Sequence, residues 1–267
     1  MSTYVNMKSL EAAARTFSGA APFDHAVIDD FFLPEVATAL EAEFPDFDSD
    51  VWHQYRNAIE VKKTCNDWNA FPALTYKVFD HLNSDELIGR LSELLDISPL
   101  LPDPGLNGGG WHIHGRGGKL NTHLDYNLHP KLGMQRKLNI IVYLNSDWQP
   151  SWGGQLGLWR QDPQRRKPGE LVSSVDPLFN RAVLFDTTQD SWHGLPAPLE
   201  CPEGQTRRSI AVYYLTPAPA ESEDRGKALF APTAEQEGDE QVRELIERRA
   251  RVDAAASTYT SHDGGQQ

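Results

Sequence analysis

Residues 206–215 read T-R-R-S-I-A-V-Y-Y-L, and residues 137–145 read K-L-N-I-I-V-Y-L-N. Both stretches have the two-residue period of β-strands, in which successive side chains point to opposite faces. In the first, Arg207 and Ser209 share a face and Arg208 takes the other. In the second, Asn139, Ile141 and Tyr143 share a face, and Leu138, Ile140, Val142 and Leu144 share the other. An arginine turned into the interior is costly unless it meets an anion. A guanidinium can grip a carboxylate with two parallel hydrogen bonds. Arg207 is therefore fitted to hold one end of a dicarboxylate, with the Ser209 hydroxyl beside it; the alternative is an exposed Arg-Arg pair on an edge strand. Tyr143 is either a further donor to that carboxylate or a core tyrosine with its hydroxyl at the sheet edge. Arg208 is expected in solvent.

Around these two strands, residues 108–217 break into short apolar segments separated by Gly, Pro and Asn. Strands are predicted near 110–115, 119–124, 137–144, 154–159, 170–175, 181–186, 190–194 and 206–216, a pattern of sandwiches and barrels. The chain before them is richer in helix. Pro34 opens a helix running to Phe44, and further helices are predicted over 71–82 and 85–95, the latter capped by Ser84. Residues 52–63 read as one strand, and 23–32 as an early one. Helices first and strands second imply an α+β fold with the helices buttressing one sheet. The expected organisation is an N-terminal arm (1–22), a helix-rich part (23–104), a strand-rich core (105–217), a C-terminal helical extension (218–256) and a disordered tail (257–267).

The 267 residues carry a formal charge of −13, which disfavours general binding to nucleic acid or an anionic membrane. No stretch approaches the roughly 20 apolar residues of a membrane span, and the first residues lack a secretory leader pattern. A cytoplasmic protein is expected. Its two cysteines, Cys65 and Cys201, cannot form a Cys-rich zinc site and are expected as reduced thiols.

T-H-L-D-Y, at 122–126, and S-W-H-G-L, at 191–195, carry the chemistry. On a strand His123 and Asp125 face the same way, so both can grip one ion without bending the backbone. His193 on a later strand can complete a two-histidine, one-carboxylate set, which suits iron(II) with open positions. His129, in an H-P pair, reads as a turn residue.

These segments, together with W-G-G-Q-L-G-L-W at 152–159 and A-V-L-F-D-T-T at 182–188, resemble the iron(II)/2-oxoglutarate oxygenases of the prolyl 4-hydroxylase-like group over about residues 108–216. The resemblance implies a double-stranded β-helix (jelly-roll) core. It implies iron ligands at His123, Asp125 and His193, and 2-oxoglutarate held by Arg207, Ser209 and Tyr143. The cosubstrates would be 2-oxoglutarate and O2, with ascorbate as an accessory. The implied reaction is hydroxylation of an unactivated C–H bond in a small-molecule, peptide or protein substrate, with peptidyl or free proline foremost. Related halogenases carry a small residue where Asp125 stands, so Asp125 argues for hydroxylation. The Pro-rich stretch between His193 and Arg207 looks longer than usual, and a bulging loop is expected there.

Trp111, His112, Tyr126, Asn127, Arg136 and Trp192 flank these motifs and are the candidates to face substrate. The rival readings are a zinc-dependent hydrolase, or a cupin-like metal-binding or isomerase module, each resting on the His112-Ile113-His114 pair. Neither gives Arg207 and Ser209 a role.

Overall fold

The computed structural model describes residues 3–220, 227–251 and 253–260. Among the described residues fourteen strands form two antiparallel sheets, with five α-helices around them. In chain order the strands are β1 (His25–Ile28), β2 (His53–Arg56), β3 (Glu60–Cys65), β4 (Leu101–Pro102), β5 (Gly110–His114), β6 (Lys119–Leu120), β7 (His123–Leu124), β8 (Gln135–Tyr143), β9 (Leu156–Gln161), β10 (Pro168–Val175), β11 (Ala182–Asp186), β12 (Trp192–Gly194), β13 (Arg207–Thr216) and β14 (Leu229–Phe230). The larger sheet runs β1-β11-β8-β13-β5-β3-β2, with β4 on β13 and β6 on β3; the smaller runs β10-β9-β12-β7-β14. The two sheets face each other across a cavity lined from both. This is a double-stranded β-helix architecture, and its sheets also take strands from outside residues 105–217: β1 to β4 before them and β14 after them.

The alternation read from β8 and β13 decides how the layers pack. Leu138, Ile140 and Val142 of β8 join Ile210, Val212 and Tyr214 of β13 in the main core. That core is completed by Leu10 from α1 (Met7–Ala14), Val36 and Leu40 from α2 (Pro34–Ala42), Val78, Phe79 and Leu82 from α3 (Ala73–Leu82) and Leu87, Ile88 and Leu91 from α4 (Asp85–Leu95). The opposite faces of the same strands, with Tyr143, Arg207, Ser209 and Tyr213, turn toward the second sheet. Tyr143 there joins a smaller core with Leu156, Leu158, Val183 and Phe185. Hydrophobic burial of this kind stabilises by about 25 cal/mol per Å2 of apolar surface, so a one-residue register slip in β8 or β13 would be heavily penalised. α4 begins as expected, with the Ser84 hydroxyl accepting from the Leu87 N–H.

Several boundaries differ from the sequence expectations. Residues 1–22 were expected as an arm, but α1 packs into the main core through Leu10. Residues 52–63 are a hairpin rather than one strand: the Asn57 side chain accepts from the N–H groups of Ile59 and Glu60 and turns the chain between β2 and β3. The C-terminal extension is not only helical, since β14 joins the smaller sheet ahead of α5 (Glu240–Ala250). The tail expected to be disordered from 257 is ordered to 260, because Thr258 is buried and its carbonyl accepts from Asn57. The rest of that tail, 261–267, lies outside the described residues. The stretch after His193 does loop, and it is pinned by Leu195, Leu199 and Cys201 packing on Trp148 and Trp152. Cys65 and Cys201 are free, buried thiols in separate clusters. Among the described residues no helix is long and apolar enough to cross a membrane.

Candidate functional site

β7 and β12 are neighbours in the smaller sheet, and their register sets His123 directly opposite His193. The imidazole centres lie 4.3 Å apart. The chain leaves β7 after Leu124, so Asp125 is not on the strand itself, yet its side chain meets both rings. Asp125 Oδ1 is 3.6 Å from His123 Nε2, and Oδ2 is 3.8 Å from His193 Nε2. All three residues are buried. Donors about 2.1 Å from one ion and at right angles stand about 3 Å apart, so a small contraction would close the set on a metal. Among the described residues this is the one cluster of His, Cys, Asp and Glu whose ligand atoms all lie within 4.8 Å of one another.

The tautomers suit the same purpose. His123 Nδ1 is 2.9 Å from the Asn121 carbonyl, and His193 Nδ1 is 2.8 Å from the Ser191 carbonyl. A carbonyl only accepts, so each Nδ1 carries the proton and each Nε2 offers a lone pair. Burial lowers the pKa of His193 to about 4, helped by His123 and opposed by Asp125. Burial alone would raise the Asp125 carboxyl, but His193, His123 and Arg136 outweigh it and hold it well below the usual carboxylate range. With Nδ1 of each ring turned to a carbonyl, the Nε2 atoms of His123 and His193 and the Asp125 carboxylate are left to face one another, a two-nitrogen, one-oxygen donor set that fits iron(II).

Arg207 lines the same cavity from the larger sheet. Its Nε donates to the Gly154 carbonyl at 2.7 Å, and its guanidinium sits 4.7 Å from the centre of the Tyr143 ring. Ser209 and Tyr143 are Cα partners across β13 and β8, and both are buried. Among the described residues no carboxylate lies within ion-pair distance of Arg207, although it is only 4% exposed. A buried, uncompensated guanidinium aimed into a cavity fits a bound dicarboxylate. Gly154 accounts for the W-G-G motif: its φ is +82°, and a Cβ there would stand 2.9 Å from Arg207 Cδ. Arg208 faces away, half-buried rather than free in solvent, with its Nε donating to Thr206.

The substrate-facing candidates divide. His112 and Tyr126 line the cavity, and so does Arg136. Arg136, however, is sandwiched between the Tyr126 and Tyr213 rings, 3.4 and 3.6 Å from their centres, and donates to the Asn107 carbonyl and the Tyr126 hydroxyl. Trp111, Trp192 and Asn127 do not line it. Trp111 alternates with His112 and so packs among Phe44, Phe71 and Trp52. Trp192 alternates with His193 and packs with Leu124 and Ala231, its indole N–H donating to Gln161. Asn127 braces the turn into β8, accepting from the Arg136 N–H and from Gln135. His129 is a turn residue: its Nδ1 accepts from the N–H groups of Lys131 and Leu132.

Four more features shape the site, and of these only His114, as part of the His112-Ile113-His114 pair, was read from the sequence. Tyr213 donates from its hydroxyl to Asp125 Oδ2 at 3.0 Å; its place on the Arg207 face was available in the alternation of β13. His114 joins His112 in the cavity, both imidazoles held neutral by burial, His112 with a pKa near 3. Neither belongs to the metal cluster, which removes the basis of the zinc-hydrolase and cupin readings. Phe230 of β14 stacks on His123, 4.9 Å between centres. Arg249 of α5 reaches back to the buried Glu60 of β3 at 2.9 Å. Both come from the C-terminal segment, whose path no local pattern shows.

Residues 109–215 match the family model described as the 2OG-Fe(II) oxygenase superfamily. The chain is 32% identical over 79 residues to a Xenopus laevis protein named Prolyl 3-hydroxylase OGFOD1, a match covering 30% of this chain and 15% of that one. It thus spans only a small part of the curated relatives' length. A prolyl 4-hydroxylase structure from Phytophthora capsici superposes with a TM-score of 0.53 at 20% identity, covering 97% of this chain and 84% of the other. A Pseudomonas putida prolyl-4-hydroxylase gives 0.52 at 19%, covering 77% and 98%. Their agreement is in fold. The matched segment runs from the residue before β5 to the penultimate residue of β13 and contains His123, Asp125, His193, Arg207 and Ser209, so it is over these residues that the chain is similar to the 2OG-Fe(II) oxygenase superfamily.

Proposed function

We propose that this protein is an iron(II)- and 2-oxoglutarate-dependent hydroxylase acting on a C–H bond of an amino acid, with peptidyl or free proline first among the candidates and the cytoplasm as its compartment. Iron(II) would be held by His123 and His193 through Nε2 and by Asp125. The 2-oxoglutarate would lie with its distal carboxylate on Arg207, beside Ser209 and Tyr143, and its 2-oxo acid end toward the metal. Bound iron supplies the oxygen activation and oxidative decarboxylation that a protein side chain cannot. The chain's own residues orient the participants and exclude water. Asn121 and Ser191 fix the histidine tautomers, Tyr213 steadies Asp125, and Phe230 and Phe185 wall the histidines with apolar surface. Proline as substrate rests on the names of the relatives. Ascorbate would serve, as an accessory, to keep the metal reduced.

The observation that carries this reading is Arg207: a buried cation with no carboxylate partner among the described residues, sharing one cavity with the His123, Asp125 and His193 cluster. The test is succinate formation from 2-oxoglutarate. Arg207→Met should raise the 2-oxoglutarate requirement by at least tenfold, since a charge-assisted pair is worth about 1.5–3 kcal/mol. Arg208→Met should change it by less than twofold. The reverse order would mean that the carboxylate is held elsewhere.

A further inference from the structure

Arg207 is not the only cation in the cavity lining among the described residues. Lys62 of β3, Lys227 ahead of β14 and Arg249 of α5 all line the cavity too. Lys62 and Arg249 share a single buried carboxylate, Glu60, at 3.3 and 2.9 Å. Arg249 spends only its Nε on that contact, and its terminal amines have no hydrogen-bond partner among the described residues. Lys227 has no ion pair or hydrogen bond among them. On the reading given above, iron(II), Asp125, Arg207 and the 2-oxoglutarate dianion sum to zero formal charge. Three cations against Glu60 then leave an excess of two positive charges, before Arg136 is counted, in a chain of −13. An enclosed excess of this sign focuses anions into the site.

Access is narrow. The cavity measures about 180 Å3, below the roughly 300–1,000 Å3 of pockets for drug-sized ligands. Part of its wall is the C-terminal segment, which is tied down by the Arg249–Glu60 pair, the Asn57–Thr258 bond and a backbone bond from the Arg56 N–H to the Tyr259 carbonyl.

We infer that the primary substrate is a small molecule bearing a carboxylate or phosphate group, which docks on Lys227, Lys62 and the free amines of Arg249. This rests on the proposed iron and 2-oxoglutarate site and narrows its substrate class.

The test uses the full chain loaded with manganese(II) and 2-oxoglutarate, with inorganic phosphate as probe and its phosphorus relaxation as readout. The inference expects saturable relaxation enhancement in the wild type, weakened at least fivefold in Lys227→Gln, a variant that removes no ion pair or hydrogen bond among the described residues. No saturable enhancement, or equal affinity in Lys227→Gln, overturns it. Displacement of phosphate by the acidic peptide acetyl-(Asp-Pro)3-amide at a lower concentration than by free N-acetylproline overturns the small-molecule class. Water-proton relaxation of the same sample reports whether manganese and 2-oxoglutarate bind at all. If they do not, the iron and cosubstrate reading has failed, and the inference falls for that separate reason.

Discussion

Removing the Tyr213 hydroxyl should weaken metal binding without disturbing the fold. The hydroxyl donates to Asp125 Oδ2 at 3.0 Å, and both groups are buried. Tyr213→Phe keeps the ring, and with it the stacking on Arg136 at 3.6 Å, so no cavity opens. What is lost is a hydrogen bond to a charged acceptor, worth about 1.5–3 kcal/mol. In the metal-bound state its loss lets the Asp125 carboxylate rotate away from the ion. Loss of such outer contacts typically costs about 10–100-fold in metal affinity, about 1.4–2.7 kcal/mol at 1.36 kcal/mol per factor of ten, which agrees with the hydrogen-bond figure. The assay is competition for iron(II) or manganese(II) against a chelator of known affinity. Tyr214→Phe is the matched control: its hydroxyl donates to the Leu82 carbonyl at 2.9 Å on the helical side of the same strand. It should cost stability and leave metal affinity within twofold of the wild type. Equal metal affinity in Tyr213→Phe and the wild type would refute the argument, as would equal losses in the two variants.

Two further predictions concern the cosubstrate and pH. Gly154→Ala places a Cβ 2.9 Å from Arg207 Cδ at a φ of +82°, so it should cost about 1–2 kcal/mol of stability by urea unfolding and raise the 2-oxoglutarate requirement; an unchanged requirement would show that Arg207 tolerates displacement. The metal-free protein should lose stability as pH falls. His193 and His112 have folded pKa values lowered to about 4 and about 3, chiefly by burial, against about 6.5 unfolded. The unfolded chain therefore takes up protons first, so this contribution is complete above about pH 6.5 and is lost as pH drops toward 4 and 3. From pH 6.5, where the unfolded imidazole is already half protonated, to pH 5 the loss is roughly 1.5 kcal/mol for each group. The urea midpoint should fall over that range, with His114, also lowered by burial, adding to the fall, and His112→Asn should remove about a third of it; a flat midpoint would contradict it.

The site was legible in the sequence to the extent that it depends on strand periodicity. His123, Asp125 and His193 converge as the spacing suggests, and the register of β13 selects Arg207 over Arg208. The same periodicity, applied to the residues beside the motifs, would have turned Trp111 and Trp192 away from the cavity, because each precedes a histidine that faces it. It would also have put Tyr213 on the face of Arg207 and Ser209. The Asn57 turn was harder to see, since no Gly or Pro marks it and its cause is one side chain bonding to two backbone groups. The C-terminal closure was out of reach. Arg249 pairs with Glu60 across 189 positions, and a strongly polar helix gives no local sign that one of its arginines will be buried.

The central claim is that 2-oxoglutarate chelates a metal held by His123, Asp125 and His193. Its most direct test is an anaerobic titration of the iron(II)-loaded protein with 2-oxoglutarate, followed by visible absorption. A weak metal-to-ligand charge-transfer band should grow to saturation at one equivalent of iron and be absent from His193→Ala. A protein that holds iron yet gives no band, or a band that persists in His193→Ala, would contradict the claim.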